Sequence, residues 1–198
     1  DRLHTTASSH HRIMIVEVMG RYAGWIALHA GIAGGADAIL IPEIPYCLDR
    51  VVEKVMERKN RGRHFSIVVV AEGAKPKDGA QVVKRIVEGS PEPVRLGGIG
   101  QKVANDLEAA TGFETRVTVL GHLQRGGKPS AFDRILARRY GVAAVELALA
   151  GKFGMMTSLQ GWEIGAVPLA EAIKELKTVP PAGELVKTAR SIGISFGV

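Results

Sequence analysis

Three mostly apolar segments are the feature that most constrains this chain, and they lie at residues 12–18, 37–41 and 65–71. The clearest run has four β-branched residues, 67–70, at its centre. A strand with one face in water alternates apolar and polar residues, whereas a strand covered on both faces stays apolar throughout. Segments with helical spacing lie between these runs. The sequence therefore predicts an α/β fold, with a mainly parallel sheet and helices on both faces.

The rest of the chain divides into further helices and strands. Residues 99–107 place Ile99, Val103 and Leu107 on one face of a helix. Asp49 is in position to cap another helix that ends near Gly62. Strands are also predicted at 116–120 and 155–159, and helices at 22–34, 81–88, 130–150 and 169–176.

Composition limits the class of ligand. The chain has 198 residues and a formal net charge of +6, but its basic residues are dispersed and aromatic residues make up only 5%. Because a nucleic-acid surface usually combines a dense basic stripe with stacking aromatics, small anionic ligands are favoured and nucleic acid is not. The single Cys47 excludes an internal disulfide and a cysteine-rich zinc site, which suits the cytoplasm. No apolar run approaches the ~18 residues of a membrane helix, so no membrane is expected.

One stretch, residues 114–134, combines a strand, a glycine-rich cationic turn and the start of a helix. The turn contains His122 and Arg125, and Ser130 and Asp133 have the spacing of a capping box. Backbone N–H groups and cationic side chains at such a junction can hold an anion. A solvated turn that merely carries charge is the alternative interpretation.

A second stretch repeats part of this plan. Arg12 and Arg21 flank the first apolar run, and Arg116 and Arg125 are separated by the same nine positions. On an extended segment such residues lie up to ~30 Å apart, so one small anion cannot touch both members of a pair. The early arginines are therefore predicted to serve a different site from the late ones. A site shared between two subunits would satisfy that geometry.

Three predicted strands end in polar groups, namely Met19-Gly20-Arg21, Glu72-Gly73, and Gly121-His122 with Arg125. Ligands in open α/β sheets lie outside the carboxyl ends of the strands. Guanidinium groups bind phosphate in a fork and a carboxylate accepts from hydroxyls, so this set suits a sugar phosphate. Each residue also has a plainer interpretation. Glu72 would pair with a lysine, His122 would be structural, and Glu43, which follows another strand, would be a solvated loop residue.

A complete phosphoryl-transfer centre is not predicted. The turn at 121–128 lacks the spacing of a Walker loop, and Pro129 stands where that motif has Ser or Thr. His10 and His11 are adjacent, which is not a metal-ligand spacing. No aspartate occupies an obvious strand-end loop, where it could act as a general base or hold Mg²⁺.

Three segments together resemble the C-terminal half of a 6-phosphofructokinase. They are residues 8–43, SSHHRIMIVEVMGRYAGWIALHAGIAGGADAILIPE, and the segments IVVVAEG and ETRVTVLGHLQRGGKPSAFDR. The resemblance covers essentially the whole chain. It implies a Rossmann-like three-layer sandwich and phosphoryl transfer to the 1-hydroxyl of fructose 6-phosphate in glycolysis. By motif match it implies that the sugar phosphate is bound from one subunit by Met19, Gly20, Arg21, Glu72, His122 and Arg125. Arg12 and Arg116 would reach across from a neighbouring subunit of a homo-oligomer, a dimer or a tetramer. Arg21 would also stabilise the transferring group.

The same resemblance implies what this chain does not carry. The family's N-terminal half, which is expected to be absent here, holds the donor-binding loops, the Mg²⁺ ligand and the catalytic aspartate. The HTTASSHHR segment is similar to a branch of actinobacterial type that includes pyrophosphate-dependent members, so either ATP or pyrophosphate is the expected donor. Arg63 and Glu43 fall where allosteric members bind nucleotide. The alternative function is a non-catalytic sugar-phosphate-binding module or regulatory subunit.

Overall fold

The computed structural model describes residues 2–89 and 93–198, and it divides them into two compact units. The first, here called the sheet unit, contains residues up to Gln124 together with Thr178–Val198. The second, here called the hairpin unit, is Arg125–Lys177. The strands are β1 (Ile13–Val18), β2 (Ala38–Leu40), β3 (Ser66–Ala71), β4 (Val83–Ile86), β5 (Val94–Leu96), β6 (Thr115–Val119), β7 (Met155–Gln160) and β8 (Glu163–Pro168). The α-helices are α1 (Arg2–His10), α2 (Trp25–Ala33), α3 (Leu48–Asn60), α4 (Ile99–Thr111), α5 (Ala131–Leu149), α6 (Leu169–Ala172) and α7 (Glu184–Ser191).

The sheet unit is built on four parallel strands in the order β2-β3-β1-β6. All six residues of β1 and of β3 are buried, which is the pattern that their mostly apolar sequences predicted. Because these two strands are central and covered on both faces, polar side chains on either face would lose their water. The predicted α/β fold with a mainly parallel sheet is confirmed.

Two hydrophobic clusters lie on opposite faces of this sheet. Alternate residues of β1 divide between them, Met14 and Val16 facing one cluster and Ile13 and Ile15 the other. The first cluster includes buried residues of α1, α2 and α7, and the second includes buried residues of α3 and α4. Helices on both faces give three layers. The predicted helix face of Ile99, Val103 and Leu107 is buried in the second cluster.

Three local predictions were wrong. Residues 81–88 do not form a helix but contain β4, which pairs antiparallel with β5. The β-branched residues of this segment favour a strand, and a helix this short needs a packed face, whereas β4 is exposed. The second error concerns α3, where Cys47 occupies the N-cap position and Asp49 lies in the first turn. The third concerns the helix expected at 169–176, where only the four residues of α6 are helical, because α6 has no buried residue and so no packed face to stabilise a longer helix.

The hairpin unit consists of α5, the antiparallel pair β7–β8, and α6. The predicted capping box is present, since the Ser130 side chain accepts from the Asp133 N–H and the Asp133 carboxylate accepts from the Ser130 N–H. None of the residues in this unit is buried. Among residues 2–89 and 93–198, no helix combines the length and the apolar character that a membrane span requires.

Candidate functional site

The carboxyl ends of β1, β3 and β6 lie side by side because these strands are parallel and adjacent. The chain continues from them into residues 19–21, Glu72 and residues 121–125. The backbone ladder runs slightly past the strands, with the Glu72 N–H donating to the Val18 carbonyl and the Leu120 N–H to the Glu17 carbonyl. The fold thus brings the three predicted polar strand ends to one edge of the sheet.

Glu72 binds the loop that follows β1. Its Oε1 accepts the backbone N–H of Gly20 at 3.2 Å and that of Arg21 at 2.9 Å. The alternative interpretation of Glu72, an ion pair with a lysine, is not seen within residues 2–89 and 93–198. A carboxylate has about four lone-pair sites, so Glu72 can hold this loop and still accept from a ligand hydroxyl.

The loop has an unusual backbone conformation. Arg21 has φ of 50° and Gly20 has φ of 146°. Non-glycine residues in the left-handed region are uncommon and cluster at functional sites, where surrounding contacts hold them in place. A Cβ on Gly73 would lie 1.8 Å from the Arg21 carbonyl oxygen, so only glycine permits this approach. The conformation that carries Arg21 is therefore determined by its neighbours.

Residues 121–125 form a short 3-10 helix after β6 rather than an open turn. His122 is exposed in its first turn, and Arg125 is its last residue and the first of the hairpin unit. Between them, Gln124 accepts the backbone N–H of Met19 through its Oε1 at 2.9 Å. Sequence reasoning missed Gln124, and the only signal for it was its position between two candidate residues.

Arg12 and Arg116 lie at the opposite edge of the sheet, where β1 and β6 begin. Glu114 binds both, accepting from Arg12 Nε at 2.5 Å and from Arg116 Nη2. The hydrogen bond from Arg12 is the main reason that the pKa of Glu114 is lowered. Six residues of β1 separate Arg12 from the loop at the other edge, a span of about 20 Å. Within the sheet unit, Arg12 and Arg21 are thus far apart, as their spacing in the sequence predicted.

Glu43 is not the solvated loop residue that the sequence suggested. Its carboxylate accepts the Gly24 N–H at 3.0 and 3.1 Å and the Val179 N–H at 2.8 Å. These hydrogen bonds join the start of α2 to the segment before α7, so the observed contacts of Glu43 are structural. Arg63 lines a separate cavity of about 50 Å³ with His11, Lys59 and His64.

The arrangement can bind a hydroxylated anion, but it does not form a metal centre. Within the described residues, no group of three or more His, Cys, Asp or Glu side chains is placed to hold a metal ion. The residues of the sheet unit at the carboxyl edge include the carboxylate of Glu72, the imidazole of His122 and the guanidinium group of Arg21. Such a set can orient a phosphate and hydroxyls by charge-assisted hydrogen bonds.

Comparison with known proteins identifies the family. A model of the family described as phosphofructokinase matches residues 1–148. The chain belongs to the phosphofructokinase family. It is 60% identical over 197 residues to ATP-dependent 6-phosphofructokinase 2 of Clostridium perfringens, a match that covers 99% of this chain and 54% of that protein. It is also 53% identical over 197 residues to the pyrophosphate–fructose 6-phosphate 1-phosphotransferase of Streptomyces coelicolor, covering 100% and 56%.

Solved phosphofructokinases share the fold. The phosphofructokinase structure from Saccharomyces cerevisiae has a TM-score of 0.74 at 36% identity, with 88% of this chain and 22% of that chain covered. A pyrophosphate-dependent phosphofructokinase from Marinobacter aquaeolei has a TM-score of 0.73 at 30% identity, with 91% and 46% covered. The chain spans about half the length of the curated phosphofructokinases that it matches.

Proposed function

We propose that this chain supplies the fructose 6-phosphate site of a phosphofructokinase that transfers a phosphoryl group to the 1-hydroxyl of the sugar. The observation that carries the proposal is the shared carboxyl edge of β1, β3 and β6, which holds residues 19–21, Glu72 and His122. Relatives of similar identity are named as ATP-dependent and as pyrophosphate-dependent enzymes, so either compound remains the proposed donor.

Each residue at this edge has a role that its chemistry allows. Glu72, already held by two backbone amides, accepts a hydrogen bond from a sugar hydroxyl, and the loop at Met19 and Gly20 lies against the sugar. His122 and Arg125 bind the phosphate of the substrate, because cationic or polar N–H donors form strong hydrogen bonds with its oxygens. Arg21 stabilises the negative charge on the transferring phosphoryl group, which is where most catalysis of this reaction arises.

Arg12 and Arg116 are proposed to act on the substrate of a neighbouring subunit. They lie at the edge of the sheet opposite to Arg21, and Glu114 holds them together. They are therefore too far away to bind the same molecule as the carboxyl edge of their own subunit. A homo-oligomer, dimer or tetramer, with shared substrate sites would give both arginines a ligand.

Mg²⁺ and a catalytic base are expected in a phosphoryl transfer. Within residues 2–89 and 93–198, no cluster of His, Cys, Asp or Glu side chains fits the metal ion. The donor site, the metal ligands and the base are proposed to belong to the remainder of the family fold, which accounts for nearly half of each curated relative. The cytoplasm is the proposed location.

A complementation assay tests the proposal. The chain would be co-expressed with the other half of the Clostridium perfringens relative, and fructose 1,6-bisphosphate formation measured with ATP and with pyrophosphate. We expect activity with one donor, and its loss in Arg21→Ala. Fructose 6-phosphate binding without activity in any stoichiometric, folded complex would instead support the alternative, a non-catalytic sugar-phosphate-binding module or regulatory subunit.

A further inference from the structure

Three consecutive backbone N–H groups after β1 are all bound by side chains. Gln124 Oε1 accepts from Met19 at 2.9 Å. Glu72 Oε1 accepts from Gly20 at 3.2 Å and from Arg21 at 2.9 Å. In each of these three bonds the acceptor is a side-chain oxygen, so the path of the loop depends on Glu72 and Gln124.

The two side chains approach the loop from opposite sides. β1 lies between β3 and β6, Glu72 follows β3, and Gln124 follows β6. Backbone pairing stops on one side with the Glu72 N–H at the Val18 carbonyl, and on the other with the Leu120 N–H at the Glu17 carbonyl. Glu72 and Gln124 therefore continue the hydrogen bonding of the sheet beyond the point where its backbone ladder ends.

Holding matters here because the loop is strained. Arg21 has φ of 50°, and a residue with a side chain keeps that conformation only when its surroundings enforce it. If Met19 were released, the segment could relax toward an ordinary backbone conformation, and the direction of the Arg21 side chain would change with it.

We propose that Gln124 is a positioning residue that holds Met19, and through it Arg21, in the geometry that binds the sugar phosphate. Gln124 acts through Met19 and touches no substrate. Gln124 lies two residues after His122 in the same 3-10 helix, so its bond to Met19 also joins that helix to the loop after β1. This inference rests on the proposed function of the same edge.

The experiment compares Gln124→Leu, which has no acceptor, with Gln124→Glu, which keeps an acceptor oxygen at the same reach. Gln101→Leu is the matched control, because Gln101 donates to Asn105 on the exposed surface of α4. Amide hydrogen exchange at Met19 and Arg21 is measured by NMR, with Ile15 and Val16 as internal reporters of the sheet. Fructose 6-phosphate affinity is measured by calorimetry on the same samples.

We expect Gln124→Leu to speed exchange at Met19 about tenfold, the effect of losing one hydrogen bond, while Ile15 and Val16 stay protected. Its dissociation constant for fructose 6-phosphate should rise by a similar factor. Gln124→Glu should keep Met19 protected, and Gln101→Leu should resemble the wild type. Protection of Met19 in Gln124→Glu but not in Gln124→Leu would show that the oxygen acceptor matters and not only the packing of the side chain.

Unchanged affinity in Gln124→Leu, or unchanged Met19 exchange, would overturn the inference. If Gln124→Leu does not fold, Gln124→Glu decides the question, since loss of Met19 protection in that variant contradicts an acceptor role. A wild-type chain that is folded but does not bind fructose 6-phosphate counts against the proposed function, and the exchange comparison still tests the contact itself.

Discussion

At the scale of single residues, Gly73 shows how closely the backbone segments of the site approach each other. A Cβ at this position would meet the Arg21 carbonyl oxygen at 1.8 Å and its carbon at 2.9 Å. Both atoms belong to the backbone, so no side-chain rotation can relieve the overlap. We expect Gly73→Ala to displace the loop at residues 19–21 and to abolish measurable fructose 6-phosphate binding in a titration.

Gly141 provides a matched control for that substitution. It lies inside α5, and a Cβ there would meet nothing within 4 Å. Alanine is favoured over glycine in a helix by roughly 0.5–1 kcal/mol, so Gly141→Ala should leave binding unchanged and stabilise α5 slightly. Equal binding by the two alanine variants would show that the close approach at Gly73 has no bearing on the site.

Tyr46 is a buried residue whose hydroxyl has no hydrogen-bond partner in the described part of the chain. An unsatisfied buried polar group destabilises a fold by about 1–3 kcal/mol, and removing it recovers part of that free energy. We expect Tyr46→Phe to raise the free energy of unfolding by about 1 kcal/mol in a urea titration. Tyr22→Phe, at an exposed position, is the control. A clear loss of stability in Tyr46→Phe would contradict the assignment.

Tyr46 also makes the free energy of unfolding depend on pH. Burial raises the pKa of Tyr46 from 10.0 to about 12. Between these values the unfolded chain loses a proton that the folded chain keeps, so the stability contributed by this residue declines as pH rises from 10 to 12. The advantage of Tyr46→Phe over the wild type should therefore grow in alkaline solution.

At the scale of elements, Glu17 joins the central strand to a helix. This buried carboxylate of β1 accepts the Gly98 N–H at 3.0 Å and the Gly100 N–H at 2.8 Å, at the start of α4. Negative charge is favoured at a helix N-terminus, where backbone N–H groups lack partners within the helix. These two hydrogen bonds hold the start of α4 against β1, two residues before the loop at residues 19–21.

We expect Glu17→Gln to lower the free energy of unfolding by about 1.5–3 kcal/mol, because the amide replaces one acceptor oxygen with a donor that faces an N–H. Glu53→Gln, on the exposed surface of α3, should change it by less than about 0.5 kcal/mol. Chemical denaturation measures both. Equal effects at the two positions would mean that the carboxylate of Glu17 is not needed as a helix cap.

The sequence patterns predicted those helices and strands that burial alone determines. They did not predict features that depend on a contact with a distant part of the chain. The parallel strands and the helix face containing Val103 follow from periodicity, because a central strand or an amphipathic helix has few alternatives. The strand β4 was missed because it is a strand only through its pairing with β5, which begins at Val94. The roles of Gln124 and Glu43 depend on backbone groups 105 and 136 residues away, and no local pattern encodes such pairs.

At the scale of the whole molecule, the hairpin unit leaves large apolar side chains in contact with water. The most exposed are Leu149, Phe153, Trp162 and Ile173. Exposed apolar surfaces of this kind mark interaction sites or promote aggregation. The curated relatives are nearly twice as long as this chain, so their remaining part is available to cover such a surface.

We therefore expect the isolated chain to self-associate as its concentration rises, which light scattering would detect. Replacing both Leu149 and Phe153 with lysine should reduce the apparent mass, since charges oppose burial of that face. The paired change Lys174→Arg and Lys177→Arg, which keeps the charge, is the control. A monodisperse monomer at every concentration would contradict this expectation.

The separation of the arginines was predictable from their spacing, but their partners were not. Arg12 and Arg116 share Glu114 at one edge, while Arg21 lies at the other, beside the carboxylate of Glu72. Strand length sets the distance between the edges, and that length can be estimated from the sequence. Which acceptor holds each group depends on side-chain packing, which is visible only in the folded structure.

The most direct test of this account is a calorimetric titration of the chain with fructose 6-phosphate, using the wild type, Arg125→Ala, and Arg50→Ala as the control. Arg50 is exposed on α3 and paired with Glu53, and it is not among the proposed site residues. We expect saturable binding by the wild type and by Arg50→Ala. In Arg125→Ala we expect binding weaker by about 1.5–3 kcal/mol, the contribution of a charge-assisted hydrogen bond. A folded wild-type chain that shows no binding, or an Arg125→Ala chain that binds equally well, would contradict the proposed site.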